Sequence, residues 1–414
     1  MHPTGAAADT TPAALESAGF VWLLARPDAD SLAGAGLLAR ALGDRGIPFQ
    51  VSVTDRRERD ERANANTRAA DADADVGGDE DDDLTIALGP TDAAVTTLDP
   101  ADGPLSVQAA ALVGAIGDRP DPVLAHVGAV TSGFDPGLSL DDESVDIRPL
   151  ESRPGVGVPT DDPVDGLAHS TLVRAAWSGD PDAVAEAIGG AEGQELASLV
   201  AIDAVGAPDA SARAGATLDR FLHPQVTPDG PFATVAGTAD VLAATARMAP
   251  GVGVALALGH DVTDAALDVW REHAIAVHAA IDGVTTHRYD GLFALDLAAD
   301  APAPARTDAI ESVARLAAAT TTPEPLVLVV GDGVAALAST SVAMVDGSKR
   351  DGATTARGAA TDDASAADAT IGSYCRALAS ELGGVADYGV VAGTVTTSDD
   401  HDAESVVDAT RGCL

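Results

Sequence analysis

The stretch from Phe20 to Val53 constrains the fold more than any other part of this chain. Phe20 to Leu24 (FVWLL) is a short apolar run that reads as a buried strand. Leu32 to Leu42 (LAGAGLLARAL) carries apolar residues at helical spacing. Ile47, Phe49, Val51 and Val53 then alternate with polar or small residues, as a strand should. A strand, a helix and a strand in this order predict a parallel sheet with a crossover helix.

The rest of the chain extends that pattern. Leu84 to Leu88 (LTIAL) and Ala94 to Leu98 (AVTTL) are strand candidates; residues 106–116 read as helix, and the apolar run 123–130 completes an α/β domain. Residues 195–222 read as a connecting helix broken near Pro208. Helices are expected over 240–248 and 263–280, flanking a strand at 252–258. The last third offers a helix at 308–318, a strand at 326–330 (LVLVV), a helix at 371–382 ending on Gly383-Gly384, and a closing strand at 390–395. Three acidic or Pro/Gly-rich stretches, 55–83, 132–165 and 346–370, read as loops, the first as a mobile acidic insertion. At 414 residues one core is not enough. The expected fold class is α/β, with a parallel-sheet domain over 1–194, a helical connector region over 195–300 and a smaller C-terminal α/β domain over 301–414.

Charge narrows the setting. The chain holds 65 acidic and 24 basic residues, net −41, and Lys349 is its only lysine. Such self-repulsion is tolerable where molar salt shortens the Debye length to about 3 Å, so adaptation to a halophilic cytoplasm is expected. No run is long and apolar enough for a membrane span, and no signal-peptide pattern opens the chain. The acidic surface removes electrostatics as an argument for a nucleic-acid partner without excluding one. Cys375 and Cys413 form neither a metal pair nor a disulfide framework and read as inert thiols.

The richest local signal is Arg26-Pro-Asp28-Ala-Asp30-Ser31, at the C-terminal end of the first strand and just before a helix. Open α/β sheets place their ligands there, and two carboxylates in that position can hold Mg²⁺ or Mn²⁺. The bland reading is a turn in which Asp30 or Ser31 caps the helix. Gly251-Val252-Gly253 precedes an apolar run instead of following a strand, so it is no dinucleotide loop. Lys349 sits in a polar stretch and reads as solvated.

VWLLARPDADSLAGAGLLARAL resembles the opening strand-(H-x-D-x-D-G)-helix motif of the DHH phosphoesterases, which include the RecJ exonucleases. Arg26 stands where that motif has His, and Ser31 where it has Gly. In the second motif, LTIALG, Ala87 takes the Asp position. The D-H-H triplet is best matched by Asp99-Pro100-Ala101, and the G-x-x-x-D motif by Gly128 to Ser132, with Ser132 for Asp. Residues 157–180 and 229–261 resemble segments of archaeal RecJ-like proteins. Gly383-Gly384-Val385, followed by Gly393, resembles the glycine signature of the DHH-associated domain that contacts nucleic acid, with Val385 in the His position.

The resemblance implies hydrolysis of phosphodiesters by two metal ions, Mn²⁺ or Mg²⁺. It also implies that Asp28, Asp30 and Asp99 are the remnant of the metal site, and that Arg26, Ala87, Pro100, Ala101 and Ser132 are its degenerate positions. A catalytically impaired scaffold for DNA replication or repair is therefore expected. By the same resemblance it would associate with the GINS complex, the MCM helicase and single-stranded nucleic acid, and hold no metal or a weakly bound one. Two alternatives stay open: an active single-strand exonuclease completed by His126 or His169, and a phosphoesterase acting on oligonucleotides or small molecules.

Overall fold

The computed structural model describes residues 11–74, 83–134, 150–207, 210–211, 214–227, 230–282, 284–297, 301–339, 370–397 and 401–414. Of the loops expected over 55–83, 132–165 and 346–370, residues 75–82, 135–149 and 346–369, with Lys349, lie outside the described residues.

The first unit runs α1 (Thr11–Ser17), β1 (Val21–Ala25), α2 (Ala29–Arg45), β2 (Phe49–Val53), α3 (Arg56–Ala74), β3 (Leu84–Leu88), β4 (Thr96–Leu98), α4 (Leu105–Ala115) and α5 (Pro122–Thr131). Its sheet has the order β2-β1-β3-β4, every pairing parallel, with Ala25 opposite Val53 and Leu88. The expected α/β class and parallel sheet are both present. Helix α2 is buried along most of its length because it packs on the sheet and also on α4 and α5. Gly46, at φ 73°, ends it in the left-handed conformation that glycine adopts without strain.

Seven helices follow among the described residues: α6 (Pro163–His169), α7 (Pro181–Ile188), α8 (Gly193–Gly206), α9 (Ala214–Leu222), α10 (Val235–Met248), α11 (Pro250–Ala257) and α12 (Thr263–Asp282). The final unit comprises β5 (Thr285–Tyr289), β6 (Leu292–Asp296), α13 (Ala303–Arg306), α14 (Ile310–Thr320), β7 (Leu326–Val330), β8 (Val334–Ser339), α15 (Ile371–Leu382), β9 (Val385–Tyr388), β10 (Ala392–Thr396) and α16 (Ala403–Gly412). Its six-stranded sheet has the order β5-β6-β7-β8-β10-β9, antiparallel except for β6 beside β7. Strand β7 is buried on both faces. Val327 and Val329 pack toward α14, whereas Leu326, Leu328 and Val330 pack toward α15 and α16. That two-sided burial is why LVLVV is continuously apolar.

Four expectations are corrected. Residues 56–74 of the acidic stretch form helix α3, which buries Arg59 and Ala63 and carries Glu58–Arg62 and Arg56–Asp60 pairs one turn apart. The strand expected at 252–258 is helix α11. Its small residues let α2 come close: a Cβ on Gly36 would lie 2.8 Å from the Ala257 carbonyl oxygen, and one on Gly253 2.8 Å from Leu32. The second sheet begins at Thr285, upstream of the boundary set at 301. Finally, α16 ends the fold, not the strand near 390–395, which sits inside the sheet as β10.

Candidate functional site

The β1–α2 turn lies where the first unit meets α14 and the β9–β10 turn, and each of its polar residues is committed to a partner. Asp28 caps α2: its Oδ1 accepts the Ser31 backbone N–H at 2.8 Å, and its Oδ2 accepts Ser31 Oγ at 3.2 Å and the Arg26 guanidinium. Asp30 reaches a different helix. It accepts the N–H groups of Leu105 and Ser106 at 2.7 and 2.9 Å, at the N-terminus of α4, and the Ser132 hydroxyl at 2.7 Å. Burial, with the Asp28 charge beside it, pushes Asp30 up to about 6 despite the hydrogen bonds from Ser106 and Ser132. Gly128 clears space for this contact, since a Cβ there would fall 2.2 Å from Ser106 Oγ and 2.6 Å from Asp30 Oδ1. Gly128 and Ser132 thus serve one hydrogen-bonded junction.

Arg26 is 1% exposed and bridges the two ends of the chain. Its guanidinium pairs with Asp28 in the first unit, with Glu311 of α14, and with Asp387 of β9 at 3.4 Å. Burial alone would lower its pKa, but Glu311, Asp28 and Asp387 together hold it well above the ordinary value. Asp387 also takes Arg59 of α3 at 2.6 Å, and Glu311 takes Arg247 of α10 at 2.7 Å. Glu311 is buried, which favours the neutral acid, yet Arg247 and Arg26 draw it down to about 2. The β9–β10 turn closes over this network: a Cβ on Gly389 would sit 3.5 Å from Arg26 Nη1 and 3.8 Å from Asp28 Oδ2.

The other sequence candidates separate. Asp99 is partly exposed and caps a short 3₁₀ turn over Pro100–Asp102, accepting the Ala101 N–H at 2.9 Å. Pro100 is buried at the start of that turn, Ala101 is exposed, and Ala87 is buried within β3. His126 turns its Nδ1 onto the Pro122 carbonyl at 2.6 Å, and burial lowers its pKa. His169 contacts Asp165 and lies edge-on to Trp270. Neither histidine touches Asp28 or Asp30. Gly383, at φ 63°, caps α15, and a Cβ on Gly384 would meet the Thr396 carbonyl at 2.7 Å. Gly393 lies in β10, where a Cβ would meet Tyr388 at 2.6 Å. All three glycines therefore have local steric reasons to be glycine. Among the described residues, no group of three or more His, Cys, Asp or Glu side chains is placed to hold a metal ion.

Comparison with known proteins gives the family. The chain is 39% identical over 349 residues to the uncharacterized protein rrnAC1427 of Haloarcula marismortui, covering 79% of this chain and 82% of that protein. The chain belongs to the rrnAC1427 family. The C-terminal domain described for that family matches residues 284–373, which start at the edge of the second sheet. Among solved structures, CDC45 from Entamoeba histolytica is 9% identical with a TM-score of 0.52, covering 99% of both chains, and this likeness shows the fold. RecJ from Thermus thermophilus, in complex with Mn²⁺, is 16% identical with a TM-score of 0.48, covering 98% of this chain and 53% of RecJ.

Within this rrnAC1427-family chain, the residues that sequence reasoning missed are Glu311, Asp387, Arg59, Arg247 and Ser106. No spacing rule finds Glu311 or Asp387, which reach Arg26 across 285 and 361 positions. Arg59 had a local signal, since it is the inward position of a helix whose polar composition, within a stretch that ends in an acidic run, hid it. Cys375 is buried and burial raises its pKa, as an inert thiol requires. No helix among the described residues is long and apolar enough to cross a membrane.

Proposed function

We propose that this chain is a member of the DHH superfamily that serves DNA replication or repair as a scaffold and does not hydrolyse phosphodiesters. The observation that carries this reading is the state of the β1–α2 turn. A two-metal centre needs several carboxylates with free lone pairs, converging on ions about 3.5–4 Å apart. Asp30 spends its oxygens on three donors, and Asp28 spends its own on Ser31 and Arg26. Arg26 brings a fixed positive charge to the place where a cation would sit, and it is matched by Glu311 and Asp387. Asp99 is engaged elsewhere, as the cap of its own turn. The residues present therefore do not fit an Mn²⁺ or Mg²⁺ pair, and no step is assigned to one.

The partners in this reading are the GINS complex, the MCM helicase and single-stranded nucleic acid. Support for the replication setting comes from the fold shared with CDC45 over 99% of both chains. The net charge of −41 supports a cytoplasm of high salt. Two measurements test the reading. Protein dialysed against Mn²⁺ in molar KCl is expected to retain no stoichiometric metal and to leave single-stranded DNA intact. Affinity capture of the full chain from its native cells is expected to recover GINS or MCM subunits. Two bound Mn²⁺ per chain, with digestion lost in Asp28→Ala, would overturn the proposal.

A further inference from the structure

A cavity of about 410 Å³ lies between α9, α10, α14 and the end of α5. Its lining is close to neutral and slightly acidic: Arg220, Arg247 and Arg315 stand against Asp28, Asp219, Asp240 and Glu311. The buried acids are already committed. Asp28 accepts from Ser31 and Arg26, and Glu311 holds Arg26 and Arg247. Asp240 accepts the Thr171 backbone N–H at 3.0 Å, the Thr171 hydroxyl, and the Trp270 indole N–H at 2.9 Å. Asp219 is exposed and contacts His223 at 3.5 Å.

The donors on the same wall are largely unspent. Arg247, with a side chain only 8% exposed, meets Glu311 as an ion pair, and its buried Nη2 makes no hydrogen bond of good geometry among the described residues. Arg315 donates to the Thr131 carbonyl at 2.5 Å and has no carboxylate within ion-pair distance among the described residues. Burial lowers the Arg315 pKa; Glu311 and Asp28 oppose that shift, and Arg247 adds to it. One acceptor is unspent as well, since Gln225 Oε1 is buried on the cavity wall and accepts no hydrogen bond. Much of the remaining wall is apolar, with Leu172, Phe221, Val235 and Ala243 among the lining residues. Buried polar groups are normally paired, so unspent donors and an unspent acceptor on one partly apolar cavity point to a ligand that satisfies both.

We propose that this cavity binds an uncharged secondary amide with an apolar body, its carbonyl oxygen accepting from Arg247 and Arg315 and its N–H donating to Gln225 Oε1. Charge decides against the ionic alternatives. An anion would add to a lining in which carboxylates already outnumber arginines, and an organic cation would find the buried carboxylates committed. A secondary amide offers an acceptor and a donor without net charge, which is what the unpaired groups lack. The site goes beyond the scaffold reading, because it needs neither a metal nor nucleic acid.

The test is calorimetric titration of the full chain in molar KCl with EDTA, using N-benzylacetamide, its N-methyl derivative, hippurate as the anion and benzylammonium as the cation. Saturable binding of N-benzylacetamide is expected at about 1 mM or tighter, as suits so small a ligand, and tighter than either ion. N-methylation removes the donor and should weaken binding about twofold to tenfold. In Gln225→Leu the two amides should bind alike, because the acceptor that tells them apart is gone. Arg315→Met should weaken both by about tenfold or more. Ala243→Leu fills the apolar part, alters neither arginine and should abolish binding, which keeps the test decisive if the Arg315 variant fails to fold. The proposal is overturned by no saturable binding of N-benzylacetamide, by equal binding in Ala243→Leu, or by tighter binding of either ion. An N-methyl effect that is absent in the parent chain, or retained in Gln225→Leu, overturns it too. Because EDTA removes divalent ions, no outcome depends on whether the chain proves to be a nuclease.

Discussion

Replacing Glu311 by Gln isolates the value of the buried network. The side chain keeps its shape but loses the charge that both Arg26 and Arg247 rely on. Arg26 retains Asp28 and Asp387, whereas Arg247 is left with no ion-pair partner among the described residues. Removing one member of a buried ion pair costs about 3–5 kcal/mol, a large part of a typical total stability of about 5–15 kcal/mol. Arg26→Met should cost a similar amount, because it leaves buried Asp28 with no ion-pair partner among the described residues, although Glu311 keeps Arg247 and Asp387 keeps Arg59. The assay is urea unfolding followed by circular dichroism at several KCl concentrations. Screening barely reaches buried charges, so the Glu311→Gln cost should persist in molar salt. Disrupting the exposed Glu58–Arg62 pair should change stability by no more than about 0.5 kcal/mol, and that effect should fade with salt. A loss below about 1 kcal/mol for either variant, or a Glu311→Gln loss that vanishes in molar KCl, would refute the reasoning.

Three further outcomes are expected. Gly128→Ala should destabilise the first unit by about 1–3 kcal/mol in thermal melts, since its methyl group would displace Ser106 and Asp30. Arg26→His should not create Mn²⁺ binding detectable by calorimetry, because Asp30 stays hydrogen-bonded to α4 and Ser132; a bound metal pair in that variant would show those bonds to be dispensable. Burial holds His273 down to about 3 and His278 to about 4, below the unfolded value near 6.5, so the unfolded chain gains two protons there as pH falls. Asp30, raised to about 6, gives one proton back to the folded side. Stability should therefore fall from pH 6.5 to 5, approaching about 1.4 kcal/mol per unit, and urea midpoints that stay flat over that range would contradict it.

Strand β7 and helix α15 match their sequence expectation residue for residue, because continuous apolar runs and a Gly-Gly stop are local signals. Helix α11 did not, since GVGVALAL is apolar all round and its period cannot tell a buried helix from a buried strand. Helix α3 was hidden by its polar composition and the acidic run after it, although its Arg59 and Ala63 mark an inward face one turn apart. The Asp28–Asp30 turn was legible as a special place, and both a metal-site and a helix-cap reading were visible in it, although the cap is Asp28 and not Asp30 or Ser31. Deciding between them needed Ser106, Ser132 and Glu311, which the sequence sets far away.

The reach of Arg26 also sets an order of events during synthesis. Its partners Glu311 and Asp387 emerge from the ribosome only after most of the chain has been made. Until then the first sheet is complete, yet it carries a guanidinium at its C-terminal rim whose nearest carboxylate is Asp28 alone. Contacts of such long sequence separation form late and slowly. The nascent first unit must therefore wait in a half-neutralised state, and the arrival of β9 locks the two ends of the chain together in one late step.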